Sequence, residues 1–304
     1  MTPMFSLIVP TRQRPESLRQ LLDSLAATTA RPAALEVILV VDADDADSLS
    51  IADARLTLRH VIVPPGQTMG SLNMAGYEAA RGRYLMLLND DVVSRTPAWD
   101  DAVRSCFQAF ADEMVLVHVN DLVFRKHLCT FPIVSRAFCE LAGGICPREF
   151  ARVRIDDHIE DCFNLLGYLG ERRTVYAPDV VFEHANYVEN TDGLRQYFSD
   201  PDALAVDAPW FEQLLGRRKE TALRMKAVIR GGSPDRWRRQ LDRVHDSMTL
   251  RTPGRQKILT PAGIVEPWDL EPSLWERIRN CKKTKGWRGL AKALARRAFR
   301  PVQI

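Results

Sequence analysis

An apolar run that ends abruptly in Asn89, Asp90 and Asp91 constrains the fold of this chain more than any other segment. The run Tyr84–Leu88 has the length and composition of a strand buried on both faces of a parallel sheet. In open α/β folds, ligands bind at the carboxyl ends of such strands. Two adjacent carboxylates beside an amide are suited to hold Mg2+ or Mn2+ with a phosphorylated substrate. A solvated Asn-Asp turn is the alternative.

The length and composition are those of a globular protein. The 304 residues suffice for one large α/β domain with an extension, or for two domains. Hydrophobic residues make up 46% and charged residues 27% of the chain, so a sizeable core can form. No stretch approaches the roughly 20 apolar residues of a spanning helix, and Met4–Val9 is too short for the apolar region of a signal peptide. We therefore expect a cytoplasmic protein.

The cysteines are not arranged in CxxC pairs, and most of them lie in apolar or helical segments. This pattern favours buried free thiols over a disulfide framework or a zinc site. The six are Cys106, Cys129, Cys139, Cys146, Cys162 and Cys281.

The net charge of +3 is unevenly distributed. Residues 276–304 contain ten Lys or Arg and one acid, so the preceding residues sum to about −6. Trp275 and Trp287 lie within or beside this basic segment, a pattern that suits the surface of an anionic membrane. Nucleic acid would attract the same charge, but no recognisable nucleic-acid motif accompanies it. A helix that packs its apolar stripe on the rest of the chain, with a solvated basic face, is the remaining alternative.

Strands and helices alternate in the first half, which predicts right-handed crossovers and a parallel sheet. The predicted strands there are Phe5–Pro10, Leu35–Val41, His60–Val63 and Tyr84–Leu88, and a helix over Ser71–Ala80 is expected to close at Gly82. The second half is less regular. Its predicted strands are Met114–Val119, Leu122–Phe124 and Thr174–Tyr176, and its predicted helices are Arg136–Leu141, Asp157–Leu169, Trp210–Arg230, Pro234–Thr249 and Pro272–Phe299.

Four polar clusters fall at predicted strand ends or just after a loop, and a lone histidine follows a further strand-like segment. Each cluster alone is weak evidence, whereas their order and spacing together are much stronger. They are Pro10-Thr11-Arg12, Asp42 to Asp47, Asn89-Asp90-Asp91, Asp156 to Asp161, and His184.

That order resembles the inverting glycosyltransferases of family 2, which have the GT-A nucleotide-sugar fold. The opening SLIVPTRQRPESLRQLLDSL matches the family's first strand, loop and helix, and VILVVDADDADS resembles its second strand and aspartate-rich turn. SLNMAGYEAARGRYLMLLNDDV resembles its Asn-x-x-Gly helix leading to the DxD motif. DDHIEDCFNLLGYLGERRTVYAPDVVFEH resembles its acidic catalytic segment, glycine-ended helix, following strand and terminal histidine. The resemblance covers about residues 4–186.

The resemblance implies an α/β fold of the GT-A type over residues 1–200, a Rossmann-like, mostly parallel sheet flanked by helices. A basic helical C-terminal extension would occupy residues 201–304. It also implies a set of residues that contact the nucleotide sugar, with Asp90 near the sugar or its ribose and Asn73 beside the nucleotide. The set is Pro10, Thr11, Arg12, Asp42, Asn73 and Asp90.

For the metal, the resemblance makes Asp91 the main ligand of Mn2+ or Mg2+. Asn89 replaces the usual first carboxylate of DxD, and His184 could add a ligand, since imidazole tolerates Mn2+. An inverting transfer also needs a carboxylate that takes the proton from the acceptor hydroxyl. Asp157 is the first choice and Asp161 the second, because the register of the acidic segment is ambiguous.

The implied activity is a metal-dependent, inverting transfer of the hexosyltransferase type. Its donor would be a nucleotide sugar, most often a UDP-sugar in this family, and its acceptor a glycan, a lipid-linked or another hydroxyl. A sugar nucleotidyltransferase is one alternative, although the loop PTRQRPES lacks the glycine such enzymes favour after the first strand. A catalytically inactive GT-A protein that binds at the membrane surface is the other, given Asn89 in the DxD position.

Overall fold

The computed structural model describes residues 2–185, 201–245, 257–260 and 263–265. Within these residues the strands are β1 (Phe5–Thr11), β2 (Leu35–Asp42), β3 (Thr57–Val63), β4 (Tyr84–Leu87), β5 (Val92–Ser94), β6 (Leu116–Asn120), β7 (Ile133–Ser135), β8 (Thr174–His184), β9 (Lys257–Thr260) and β10 (Gly263–Val265). The helices are α1 (Pro15–Thr28), α2 (Ala46–Leu49), α3 (Met69–Ala79), α4 (Trp99–Gln108), α5 (Arg136–Ala142), α6 (Ile155–Tyr168), α7 (Pro201–Gln213), α8 (Leu215–Arg230) and α9 (Asp235–Leu241), with 3-10 turns at Pro32–Ala34 and Arg125–His127.

The strands form one mixed sheet in the order β3-β2-β1-β4-β7-β6-β8-β9-β10, and β5 pairs with β8. The first four strands are parallel, as the alternation in the sequence predicts. Strand β7 runs antiparallel to both β4 and β6, and β8 runs parallel to β6. Strands β1, β2, β4, β6 and β8 therefore point the same way, and their carboxyl ends meet at one edge of the sheet. This arrangement confirms the predicted α/β fold.

The sheet separates two hydrophobic cores. In β1, Leu7 and Val9 face α1 and α4, whereas Ile8 faces the layer that contains α3 and α6. Helix α1 buries one face of leucines that recur every three or four positions, Leu18, Leu21, Leu22 and Leu25. Burying each of these side chains contributes about 1.5–3 kcal/mol, which is enough to fix the helix against the sheet.

Two local predictions are wrong, and each has a physical reason. Helix α3 ends at Ala79, and Gly82 has a close-packing role instead, because a Cβ there would lie 2.5 Å from the Ser6 hydroxyl and 2.8 Å from the Phe5 backbone carbon. No strand forms over Leu122–Phe124. The buried carboxylate of Asp121 accepts hydrogen bonds from the backbone N–H groups of residues 123, 124 and 125, at 3.0, 2.9 and 2.7 Å. These bonds turn the chain.

The predicted strand Thr174–Tyr176 is the beginning of a longer one. Strand β8 continues for 11 residues to His184, and a register shift against β6 lets its second half pair with β5. This length carries the histidine to the sheet edge that holds the other polar clusters.

Helix α8 packs on α6, and its residues Ala222, Leu223 and Met225 are buried in the same core as the apolar face of α6. Among the described residues, no helix has the length and apolar character needed to cross a membrane. The division of the chain into residues 1–200 and 201–304 stays a prediction. The predicted basic helix Pro272–Phe299 lies outside the described residues.

Candidate active site at the carboxyl edge of the sheet

The carboxylates of Asp90 and Asp91 lie where β4 ends, and a cation lies beside them. The hydroxyl of Thr11, at the end of the neighbouring β1, donates to Asp90 Oδ2 at 2.9 Å. Arg14 Nη1 lies 3.2 Å from Asp90 Oδ1 and 3.6 Å from Asp91 Oδ2. Arg14 is not among the predicted site residues, although it lies in the polar loop that follows the first strand. The arginine partly neutralises a pair of carboxylates that would otherwise repel each other.

Asp90 is electrostatically unfavourable in this position. Burial raises the pKa of its carboxyl group above the ordinary value, and the nearby charge of Asp91 raises it further. The hydrogen bond from Thr11 and the guanidinium of Arg14 oppose these effects without cancelling them. The protein therefore keeps a costly carboxylate at this edge, as is common at functional sites.

Asn89, Asp91 and His184 come together through strand pairing. Antiparallel pairing of β5 with β8 places Val92 opposite His184, one residue beyond Asp91. As a result, His184 Nε2 lies 3.2 Å from Asp91 Oδ1 and 3.3 Å from Asn89 Nδ2. The ring of Phe131 packs against the imidazole, with centroids 5.4 Å apart. All three predicted metal ligands therefore lie within one small region.

The chemistry of these three side chains fits a divalent cation. A single Nε2 atom can carry a proton toward Asp91, or offer its lone pair, but it cannot do both at once. A cation bound there would take the place of that proton, and a flip of the Asn89 amide would present its oxygen. No cluster of three His, Cys, Asp or Glu suited to a metal occurs in the described part of the chain. Only two ionisable ligands are present, so substrate oxygens and water would complete the coordination shell, as is usual for Mg2+.

Two of the predicted nucleotide-binding residues, Arg12 and Asp42, contact each other at the ends of β1 and β2. Arg12, the residue after Pro10 and Thr11, contacts Asp42 and forms a bidentate ion pair with Asp44 at 2.7 and 2.9 Å. The ion pair lowers the pKa of Asp44 and raises that of Arg12. The half-exposed guanidinium is thereby held over the ends of β1 and β2.

Asn73 lies on α3, a helix that contacts the loop preceding α6. It is buried in the second turn of that helix, and Thr68 caps the helix by accepting from the Ser71 N–H at 3.1 Å. The beginning of α3 is pinned to that loop, because Met69 N–H and Gly70 N–H donate to backbone carbonyls at positions 151 and 150. This contact joins the predicted nucleotide-binding helix to the segment that carries the predicted base.

Asp157 lies in the first turn of α6. The helix leads into β8, whose first residue lies at the amino edge of the sheet, so the beginning of α6 lies toward the carboxyl edge. Arg154 Nη1 contacts Asp157 Oδ2 at 2.7 Å and fixes the direction of the carboxylate. This location is suitable for a base that meets an acceptor entering at that edge.

Asp161, one turn further along α6, has a different environment. It is fully buried, and Arg218 of α8 donates to its Oδ2 at 2.5 Å. The neighbouring His158 is also buried, and burial lowers its pKa well below the ordinary value, so it is neutral. Asp161 therefore sits in an ion pair inside the core. The sequence offered no signal for Arg218, since an arginine in a basic helical segment is ordinarily exposed.

Comparisons with known proteins identify the same family that the motifs indicated. The model of Glycosyl transferase family 2 matches residues 6–112, which include β1 through α4 and the Asn89–Asp91 cluster. A search of curated proteins gives no match. The resemblance to family 2 is confirmed.

Solved structures extend the similarity in fold over most of the chain. Staphylococcus aureus TarS is similar with a TM-score of 0.52 at 14% identity, covering 76% of this chain and 44% of that one. A mannosyltransferase from Pyrobaculum calidifontis, solved with GDP-Man and Mn2+, is similar with a TM-score of 0.50 at 17% identity, covering 98% of this chain and 80% of that one. The chain thus spans less than half of the TarS chain. At these identities the likeness concerns the fold, which is of the GT-A type.

Proposed function

We propose that this chain, whose residues 6–112 match the model of Glycosyl transferase family 2, is a metal-dependent, inverting glycosyltransferase that uses a nucleotide-sugar donor. The observation that carries the proposal is the cluster of Asn89, Asp91 and His184 at the carboxyl edge. Ligands bind at that edge in open α/β folds. Asp90 and Arg14 lie directly beside the cluster.

The donor in this proposal is a nucleotide sugar, with UDP as the first nucleotide to test. Thr11 and Asp42 would contact the base or ribose from the ends of their strands, and Arg12 would approach the phosphates. The similar mannosyltransferase was solved with GDP-Man and Mn2+, which supports a nucleotide sugar and a divalent cation here. The choice between uracil and guanine is left to the binding experiment below.

The metal would be held by Asp91, His184 and the amide oxygen of Asn89. When bound, a divalent cation supplies positive charge to the diphosphate and so stabilises the leaving nucleoside diphosphate. Arg14, which already contacts both aspartates, can supply further positive charge from the other side. Mn2+ and Mg2+ both suit this donor set.

Asp157 acts as the general base in this mechanism. Its carboxylate takes the proton from the acceptor hydroxyl while that oxygen forms a bond to C1 of the sugar. The bond from C1 to the diphosphate breaks on the opposite face, and the anomeric configuration inverts. Asp161 is less suited to this role, because Arg218 neutralises it inside the core.

A thermal-shift panel tests the donor and metal assignments together. UDP, UDP-glucose, UDP-GlcNAc, GDP and GDP-mannose are each added with and without Mn2+, and the melting temperature is measured. We expect one nucleotide series to stabilise the protein, and to do so more strongly with Mn2+. Asp91→Asn should strongly weaken the effect of Mn2+, whereas Asp47→Asn should preserve it, because Asp47 is an exposed residue of α2.

Analysis of the reaction products of the same protein distinguishes the alternative activities. A transferase should release nucleoside diphosphate slowly from its nucleotide sugar with Mn2+, using water as acceptor. A nucleotidyltransferase should instead release pyrophosphate from a nucleoside triphosphate and a sugar phosphate. An inactive binding protein should bind the nucleotide and release neither product. A cytoplasmic location and contact of the basic segment 276–304 with an anionic membrane remain part of the proposal and rest on the charge pattern alone.

A further inference from the structure

A buried carboxylate of α7 holds the segment that leads into α6. Asp207 is fully buried, and it accepts hydrogen bonds from the backbone N–H groups of three consecutive residues. The distances are 2.7 Å to Ala151, 2.9 Å to Arg152 and 2.7 Å to Val153. Charge-assisted bonds of this kind are roughly twice as strong as neutral ones. Asp207 therefore fixes the backbone just before the residue that contacts Asp157.

That residue, Arg154, has a strained backbone. Its φ of 69° lies in the left-handed region, which residues other than glycine rarely adopt. Such a conformation persists only where the surrounding structure enforces it. The three hydrogen bonds to Asp207 end at the preceding residue and provide that constraint. The outcome is an Arg154 side chain directed at Asp157 Oδ2.

Phe211, one turn after Asp207 on α7, links Arg154 to α8. The guanidinium of Arg154 lies 5.6 Å from the centre of the Phe211 ring, and that of Arg218 lies 3.8 Å from it. Arg218 also donates to the Phe211 carbonyl at 2.5 Å and to Asp161 at 2.5 Å. A buried ion pair is weak evidence for stability, because its desolvation offsets much of its attraction. The ion pair of Arg218 with Asp161 instead fixes the position of the Phe211 ring.

We infer that Asp207, Phe211 and Arg218 are positioning residues for the general base. Through Arg154 they hold the carboxylate of Asp157 in the direction from which it meets the acceptor hydroxyl. This inference rests on the proposed function, since it takes Asp157 as the base. It assigns a catalytic purpose to α7 and α8, which lie outside the segment that the family model matches.

The test separates positioning from stability with a matched control. Asp207→Asn replaces a carboxylate oxygen by an amide that cannot accept, and Phe211→Leu removes the aromatic ring while keeping an apolar side chain. The control is Asp100→Asn. Asp100 is likewise a buried carboxylate that accepts from two backbone N–H groups, at 2.8 and 3.1 Å, but it holds the segment after α1.

Each variant is assayed for hydrolysis of the nucleotide sugar that the unmodified chain turns over, at saturating donor, and for UDP affinity by calorimetry. Asp207→Asn and Phe211→Leu should lower kcat on the order of 10- to 100-fold, because a small misplacement of a catalytic group has effects of that size. The Kd for UDP should stay within about twofold in both. Asp100→Asn should lower the melting temperature comparably and leave kcat nearly unchanged.

Hydrogen exchange supplies a second measurement that does not depend on activity. Arg218→Lys keeps the charge but loses the planar contact with Phe211. We expect faster exchange of the amides over 151–157 in this variant, although residue 218 bonds none of them. Equal kcat losses in Asp207→Asn and Asp100→Asn, or unchanged kcat and exchange in Phe211→Leu and Arg218→Lys, would overturn the inference. If Asp157→Asn itself retains kcat, the assignment of the base fails instead.

Discussion

His184 Nε2 lies 3.2 Å from Asp91 Oδ1 because the end of β8 pairs antiparallel with the short strand that follows the aspartate. Asp91 lies within the segment that the family model matches and His184 lies beyond it, and the two would not be near each other without the length of β8. A ligand pair built on two paired strands is more rigid than one built on loops. The positions of these two side chains are therefore fixed before any ligand binds.

This preorganisation predicts that UDP affinity depends on the metal through these two side chains. UDP should bind the unmodified protein much more tightly with Mn2+ than without it. His184→Gln and Asp91→Asn should each reduce that ratio by on the order of 10- to 100-fold, because one ligand of a small set is lost. Calorimetry with and without Mn2+ measures the ratio. An unchanged ratio in both variants would exclude the metal assignment.

The two candidate bases should fail in different ways. Asp157→Asn should keep UDP affinity and the melting temperature but lower kcat on the order of 100- to 10,000-fold, as removal of a general base does. Asp161→Asn should instead lower the free energy of unfolding by about 3–5 kcal/mol, because it leaves Arg218 charged and buried without its carboxylate. Denaturant unfolding and steady-state kinetics measure the two effects. A stable, inactive Asp161→Asn with a normal Asp157→Asn would reverse the assignment.

The sequence predicted the elements near the site better than the contacts inside it. Strands such as Leu35–Val41 are marked by continuous apolar runs, and the polar residues after them fall at the carboxyl edge by topology alone. The resemblance to family 2 named Asn89, Asp91 and His184 as metal ligands; that role stays a prediction, but the three side chains do lie together. Their convergence depended on the full length of β8, which periodicity did not reveal, since Pro178 interrupts the apolar pattern.

The parts that the sequence did not predict are held by single long-range side chains. Arg14, Asp207 and Arg218 are charged residues in segments where solvent exposure is the default expectation. Their partners lie 76, 54 and 57 positions away, respectively. The role of Gly82 was also not predictable from the local sequence, because its close approach to Ser6 is a property of packing rather than of the local turn. Such contacts are tertiary, so no local pattern indicates them.

The raised pKa of Asp90 predicts a trade between stability and function. A carboxyl whose pKa is raised on folding makes the free energy of unfolding fall as the pH rises through that pKa, and the loss persists at neutral pH. Asp90→Asn removes this cost and should increase the free energy of unfolding at pH 7 by on the order of 0.5–2 kcal/mol. The same variant should bind UDP and Mn2+ less tightly.

Asp44→Asn serves as the control for Asp90. The pKa of Asp44 is lowered by its exposed ion pair with Arg12, so the neutral amide should give no gain in stability. Denaturant unfolding at pH 7 measures both variants. A loss of stability in Asp90→Asn comparable to that of an ordinary core substitution would contradict the predicted trade.

Buried His118 predicts a loss of stability in mild acid. Its ring packs against Tyr176 with centroids 5.0 Å apart, and burial lowers its pKa from 6.5 to about 4. Between these pH values the unfolded chain binds a proton that the folded protein does not bind. The contribution of His118 to the free energy of unfolding is therefore fully present above pH 6.5. It should decrease as the pH falls toward 4, by about 3 kcal/mol from this group alone. The pKa of buried His158 is lowered in the same direction, so this residue steepens the decline.

His118→Phe keeps an aromatic ring without a titrating group, so the stability of this variant should decline less between pH 6.5 and pH 4. His127→Phe, at an exposed position, should follow the unmodified protein. Urea unfolding at half-unit steps from pH 7 to pH 4.5 measures the slopes, and parallel curves for His118→Phe and the unmodified protein would show that folding does not lower the pKa of His118.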